Sequence, residues 1–216
     1  MGHVVLLGDS IFDNAAYVPG EPSVIQQLKN RLSDGWQATL LAVDGNVTRD
    51  VSDQLKKLPD DASHLFVSVG GNDALSNIKI LDEPARSSSE VLLKLADLHK
   101  TFRINYSRML EKILECKKPV VVCTIYDAMP FQDDVLTRMI RATLSIFNDC
   151  IIREAFKSGV CLLDLRLICD KASHYSSVSP IEPSSEGGER IAGAIANILA
   201  RNPFSQDYCT VFSSYR

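Results

Sequence analysis

Five short apolar runs recur along the chain: VVLL (4–7), ATLLAV (38–43), HLFVSV (64–69), PVVVCTI (119–125) and VCLLDL (160–165). Each is too short for an independent helix and rich in β-branched residues, so each reads as a strand buried on both faces. Between them lie helical patterns over 22–33, 48–58, 88–116, 133–158 and 185–200, the third carrying Val91, Leu92, Leu95, Leu98, Phe102 and Met109. Strand and helix alternate, and that order admits few folds. It predicts a mainly parallel, five-stranded sheet covered by helices on both faces, a three-layer α/β/α protein. Ligands of such sheets bind outside the carboxyl ends of the strands, so the residues just after each run are the ones to inspect for chemistry.

The 216 residues, 45% of them hydrophobic, suit one domain, and no Pro/Gly/Ser-rich or charge-dense stretch divides them. That domain is expected over 1–201. The last stretch, NPFSQDYCTVFSSYR (202–216), has no clear period and reads as a C-terminal tail that packs on the surface or is partly mobile. Segment 77–90, with a proline and a serine run, reads as a loop ending in the N-cap of the helix that begins near 88.

The 23 Lys and Arg residues are spread along a chain of net charge −4, which leaves no basic stripe and argues against a nucleic-acid partner. No apolar run approaches the ~20 residues that span a bilayer. Met1-Gly2 leads straight into a strand without the parts of a secretory signal, which predicts a cytoplasmic location. The six cysteines form no C-x-x-C pair and read as free, mostly buried thiols. With no metal-ligand spacing and no G-x-G-x-x-G or G-K-[ST] motif, neither a metal nor a cofactor is expected. Oligomeric state has no signature in the sequence.

After the first strand comes Gly8-Asp9-Ser10, where Gly8 permits a tight turn and Ser10 opens what looks like a helix start, its hydroxyl facing backbone N–H groups that stabilise negative charge. After the second comes Val43-Asp44-Gly45-Asn46, where Gly45 allows close backbone approach and its N–H is a candidate donor to an oxyanion. After the third comes Gly70-Gly71-Asn72-Asp73, in which two glycines clear space and Asn72 presents an amide donor. Asp13 and Asp73 are placed to close the site through backbone hydrogen bonds, and Asp164 with Arg166 reads as a salt bridge after the fifth strand.

These blocks, in this order, resemble the SGNH (GDSL) hydrolase family, and with the β-α order the resemblance covers most of residues 3–200. It implies a flavodoxin-like fold and hydrolysis of carboxylic esters, acyl or acetyl esters of small alcohols or carbohydrates. It also implies Ser10 as nucleophile, with the Ser10 N–H, the Gly45 N–H and the Asn72 side chain as oxyanion donors.

The family's last block, D-x-x-H-P, supplies the general base and its orienting aspartate. Here the stretch reads Ser179-Pro180-Ile181-Glu182-Pro183, so Glu182 stands at the histidine position and Ser179 at the aspartate position. Of the four histidines, His3 and His64 begin their strands at the opposite edge of the sheet, and His99 lies within a helix. His174 lies on the approach to the last block. Three readings follow: an esterase with Glu182 as base, an esterase with His174 as base, and a binding protein that keeps the pocket without turnover. An ordinary glutamate, with a pKa near 4.3, is a weak base toward a hydroxyl unless burial raises it.

Overall fold

A computed structural model describes residues 2–201, 204 and 209–213. In chain order its elements are β1 (Gly2–Gly8), α1 (Val24–Arg31), β2 (Trp36–Leu40), α2 (Val51–Leu55), β3 (His64–Ser68), α3 (Gly71–Leu75), α4 (Ser88–Leu114), β4 (Val120–Cys123), α5 (Asp134–Ser158), β5 (Cys161–Leu163), α6 (Leu165–Ile168), α7 (Ser185–Arg201) and β6 (Val211–Phe212). The strands lie in the order β2-β1-β3-β4-β5-β6 and all pair in parallel.

Continuous apolar strands arise because alternate side chains point to opposite faces and both faces are covered. Val4, Leu6, Phe66, Val121 and Leu163 pack with Val24 and Leu28 of α1 and Ile191 and Ile195 of α7. Val5, Leu7, Leu65, Val67 and Val122 pack on the other face with Phe102, Tyr106 and Leu110 of α4 and Ile151 of α5. All five expected strands and all five expected helices are present, the 48–58 pattern being a 3₁₀ turn, Thr48–Asp50, followed by α2. Ser87 caps α4, its hydroxyl accepting from the Glu90 N–H at 3.2 Å.

Among the described residues the expected count of five strands is corrected to six. Val211 and Phe212 pair with Leu162 and Leu163, so the stretch read as a tail carries the outer edge of the sheet. Two residues are too few to show an alternating pattern, which is why the pattern missed them. The rest of the tail reading falls partly on 202–203, 205–208 and 214–216, outside the described residues. The 77–90 loop contains a 3₁₀ turn, Ile78–Asp82. Among the described residues no helix is long and apolar enough to cross a membrane. The cysteines are free, with Cys123, Cys150, Cys161 and Cys169 buried.

The sheet order reverses between β1 and β3, whose following connections lead to opposite sides. Such a switch point leaves a crevice at the carboxyl ends of the two strands. Ser10 leaves β1 and Asn72 leaves β3 at that crevice.

Candidate active site

The chain leaves β1 through Gly8, at φ 123°, where a side chain would place its Cβ 1.8 Å from the Ser68 carbonyl oxygen. The close approach lets the Asp9 N–H donate to that carbonyl at 3.0 Å. Residues 9–13 then form a single turn, closed by the Phe12 and Asp13 N–H groups on the Asp9 carbonyl, rather than the helix start expected after Ser10. Ser10 is 6% exposed and lines a cleft enclosing about 950 Å³, open mouth included.

Asn72 lines the same cleft from the first turn of α3. One of its amide hydrogens goes to the Asn46 carbonyl at 3.0 Å, leaving the second for a ligand. Gly45 is exposed, at φ 80°, and is not part of the cleft wall; the site reaches its loop through the neighbouring Asn46. That loop is tied down as the sequence suggested. Asp13 accepts from the Asp44 N–H at 3.0 Å, and Asp73 accepts from both the N–H and the hydroxyl of Thr48, at 3.0 and 2.7 Å.

Glu182 comes into the cleft beside Ser10 from a loop without regular structure, held by its backbone. Its N–H donates to the Ser179 carbonyl at 3.1 Å, its carbonyl accepts from the Ser176 N–H at 2.8 Å, and the preceding carbonyl, of Ile181, accepts from the Tyr126 hydroxyl at 2.8 Å. The side chain is 5% exposed, and its Oε2 is buried without a hydrogen-bond partner. Burial pushes the Glu182 carboxyl up to about 7; the hydrogen bond from Ser10 pulls the other way, and Asp44 adds a smaller push upward. Asp9, also in the cleft wall, is held well above the usual carboxylate range by burial, with further pushes from Glu182, Asp73 and Asp44.

His174 is fully buried but is not part of the cleft wall. Its Nδ1 accepts from the Lys171 N–H at 3.2 Å, and its Nε2 lies 3.5 Å from Glu186. Burial holds its pKa below the ordinary imidazole value. Its carbonyl takes the Ser184 N–H at 3.0 Å and packs against Gly187, where a Cβ would come within 2.1 Å of that oxygen. His174 thus braces the start of α7. Asp164 and Arg166 form the expected salt bridge, with Arg166 Nε at 2.8 Å.

Two supporting residues escaped the sequence reading. Gln54 holds β1 at its end, accepting from the Gly8 N–H at 2.8 Å while its amide donates to the Gly8 carbonyl at 2.7 Å and to Asn46 Oδ1 at 2.8 Å. Its signal was available: with Val51, Leu55 and Leu58 it shares the inward helical spacing, where a glutamine is out of place unless partnered. Asn14 is fully buried and bonds the Pro183 carbonyl and the Val24 N–H, with no local pattern to announce it. Among the described residues no group of His, Cys, Asp or Glu is arranged to hold a metal ion.

Residues 6–190 match the model of the GDSL-like lipase/acylhydrolase family. No curated protein matches the chain in sequence. Similar solved structures include an extracellular lipase from Streptomyces rimosus, at 17% identity and a TM-score of 0.67, covering 93% of this chain and 99% of that one. A lipase from a goat rumen metagenome has 22% identity and a TM-score of 0.67, covering 94% and 98%. A carbohydrate acetylesterase from Sinorhizobium meliloti has 15% identity and a TM-score of 0.65, covering 94% and 100%. At these identities the likeness is one of fold, and a fold shared with an extracellular lipase carries no cellular address.

Proposed function

The chain belongs to the GDSL-like lipase/acylhydrolase family, a family of carboxylic ester hydrolases, and from that premise we propose that it cleaves acyl esters of small alcohols or carbohydrates with Ser10 as nucleophile and Glu182 as general base. The observation that carries this reading is the Glu182 carboxyl beside the Ser10 hydroxyl, buried and raised to about 7. A carboxylate of ordinary pKa is a feeble base toward a hydroxyl, whereas one near 7 is ionised in half the molecules at neutral pH and holds a proton well enough to take it from an attacking serine.

In this mechanism the Ser10 oxygen attacks the ester carbonyl carbon as its proton passes to Glu182. The oxyanion of the tetrahedral intermediate is held by the Asn72 amide and the Ser10 N–H; Gly45, the third donor implied by the family pattern, lies outside the cleft wall and takes no part in this mechanism. The intermediate collapses with the alcohol leaving, protonated by Glu182, and a water deprotonated by the same carboxylate releases the acid from Ser10. Geometry supports Glu182 over His174 as the base, since only Glu182 shares the cleft with Ser10.

The test is hydrolysis of p-nitrophenyl butyrate. Wild type is expected to turn it over, with Ser10→Ala lowering kcat by about 10³-fold or more. Equal rates in the two proteins would defeat the enzymatic reading and favour a binding protein that keeps the pocket.

A further inference from the structure

Beyond Ser10 the cleft changes character. Among the described residues the charged side chains in its wall are Asp9 and Glu182, both at the catalytic end. Farther in, it runs between α4 and α5, past Leu98, Ile140, Leu144 and Phe147, beneath the 3₁₀ turn that carries Ile78 and Leu81. The polar side chains on that stretch are few, and each has a donor engaged within the protein. Asn77 donates to the Asp73 carbonyl at 2.8 Å and Thr143 to the Met139 carbonyl at 2.9 Å. A sugar ring placed there would lose its hydration with few groups to replace it, a cost that disfavours a carbohydrate occupant. An acetyl group would fill only the space beside Ser10 and leave the apolar walls in contact with water.

Resting on the assignment of Ser10 as the reacting end, we infer that the apolar arm of the cleft binds an acyl chain and that the preferred substrates are esters of medium-length fatty acids, with the small alcohol at the outer, polar side of Ser10. The apolar lining continues from Ser10 past Leu98, Leu144 and Phe147, so the cleft has walls beyond the point where an acetyl group would end. Leu75 and Ile78 line the cleft yet stay 45% and 41% exposed, so the arm opens to solvent through an apolar rim suited to the entry of a chain. Discrimination between chain lengths then comes from burial of methylene groups along Ile140, Leu144 and Phe147, each added methylene raising kcat/KM about fourfold until the arm is full.

The test has two independent arms. Wild-type kcat/KM is measured on p-nitrophenyl acetate, butyrate and octanoate, and binding of methyl octanoate and methyl acetate to the Ser10→Ala variant is measured by calorimetry. The inference expects octanoate to exceed butyrate by about 250-fold, at about fourfold for each of the added methylenes. It also expects methyl octanoate, but not methyl acetate, to bind the serine-less variant. Ile140→Trp, which fills the arm, should reduce the octanoate-to-butyrate ratio by about tenfold. Should that variant misfold, Ile78→Asp at the exposed rim should lower the same ratio without disturbing the core. A profile that favours acetate, with no binding of methyl octanoate, overturns the acyl-chain inference while leaving ester hydrolysis by Ser10 intact. Binding of methyl octanoate by a protein whose wild type hydrolyses no ester supports the inference and defeats the hydrolase reading instead.

Discussion

The side-chain amide of Asn14, four residues after Ser10, donates to the carbonyl of Pro183, the residue after Glu182, at 3.2 Å. This bond ties the turn that carries Ser10, the proposed nucleophile, to the loop that carries Glu182, the proposed base. Asn14 Oδ1 accepts in turn from the Val24 N–H at 2.9 Å, anchoring the pair to the start of α1. Asn14→Ala leaves a buried carbonyl and a buried N–H unpaired, so it should cost about 2 kcal/mol, or about 4–8 °C in Tm. Ester hydrolysis should fall further than the folded fraction does, because the spacing of Ser10 and Glu182 loosens. Urea unfolding and kcat on the same sample check this, and an activity that merely tracks the folded fraction would count against the bond as a positioning device.

Glu182 predicts the pH dependence of activity. With its carboxyl at about 7, kcat/KM should rise with pH to a plateau, with a midpoint near that value. Glu182→Gln should remove the rise and lower the rate by about 10²-fold or more. His174→Ala should leave the midpoint where it is. An unmoved pH profile in Glu182→Gln would assign the base elsewhere.

Stability should move in the opposite direction. The Glu182 carboxyl is raised from its ordinary 4.5 to about 7, so between those values the folded state holds a proton that the unfolded chain has lost. Its contribution is therefore fully present below 4.5 and lost as pH rises through about 7. Glu182→Gln, which cannot ionise, should be more stable than wild type above that window, with the gap closing toward its lower end. Denaturation midpoints across the range measure the gap directly.

Asn72→Ala removes the side-chain donor proposed for the oxyanion. The expected loss is about 10²–10³-fold in kcat, with a smaller change in KM, since the interaction forms in the transition state. The lost bond to Asn46 should add about 1 kcal/mol of destabilisation, which a thermal melt separates from the kinetic effect. A loss confined to KM would move Asn72 from the oxyanion to ground-state binding.

Gly8→Ala and Gly20→Ala form a contrasting pair. Both glycines have positive φ, but a Cβ on Gly8 would meet the Ser68 carbonyl oxygen at 1.8 Å while one on Gly20 meets nothing within 4 Å. Gly20→Ala should cost about 1–2 kcal/mol of backbone strain. Gly8→Ala should cost more than about 4 kcal/mol or prevent folding, because strand backbone must move. Similar melting temperatures for the two would mean that β1 and β3 can separate at their ends more readily than their packing implies.

The continuous apolar runs by themselves determined the parallel sheet and its two covering layers, because a strand buried on both faces must be apolar at every position. The β-α order likewise put Ser10 and Asn72 at strand ends on one edge of that sheet. The sixth strand was beyond such reading, since Val211 and Phe212 gain their conformation from Leu162 and Leu163 rather than from any pattern of their own. The character of Glu182 was also decided by the tertiary structure. Its letter alone reads as an ordinary acid ahead of a helix, and only burial, against the opposing pull of the Ser10 hydroxyl, raises its carboxyl to about 7. His174 and Glu182 were rivals in sequence, and packing separated them, turning one toward α7 and the other into the cleft. Periodicity reports which face of an element is buried; hydrogen bonds and desolvation depend on partners such as Asn14 and Pro183, 169 positions apart, that meet only when the chain is folded.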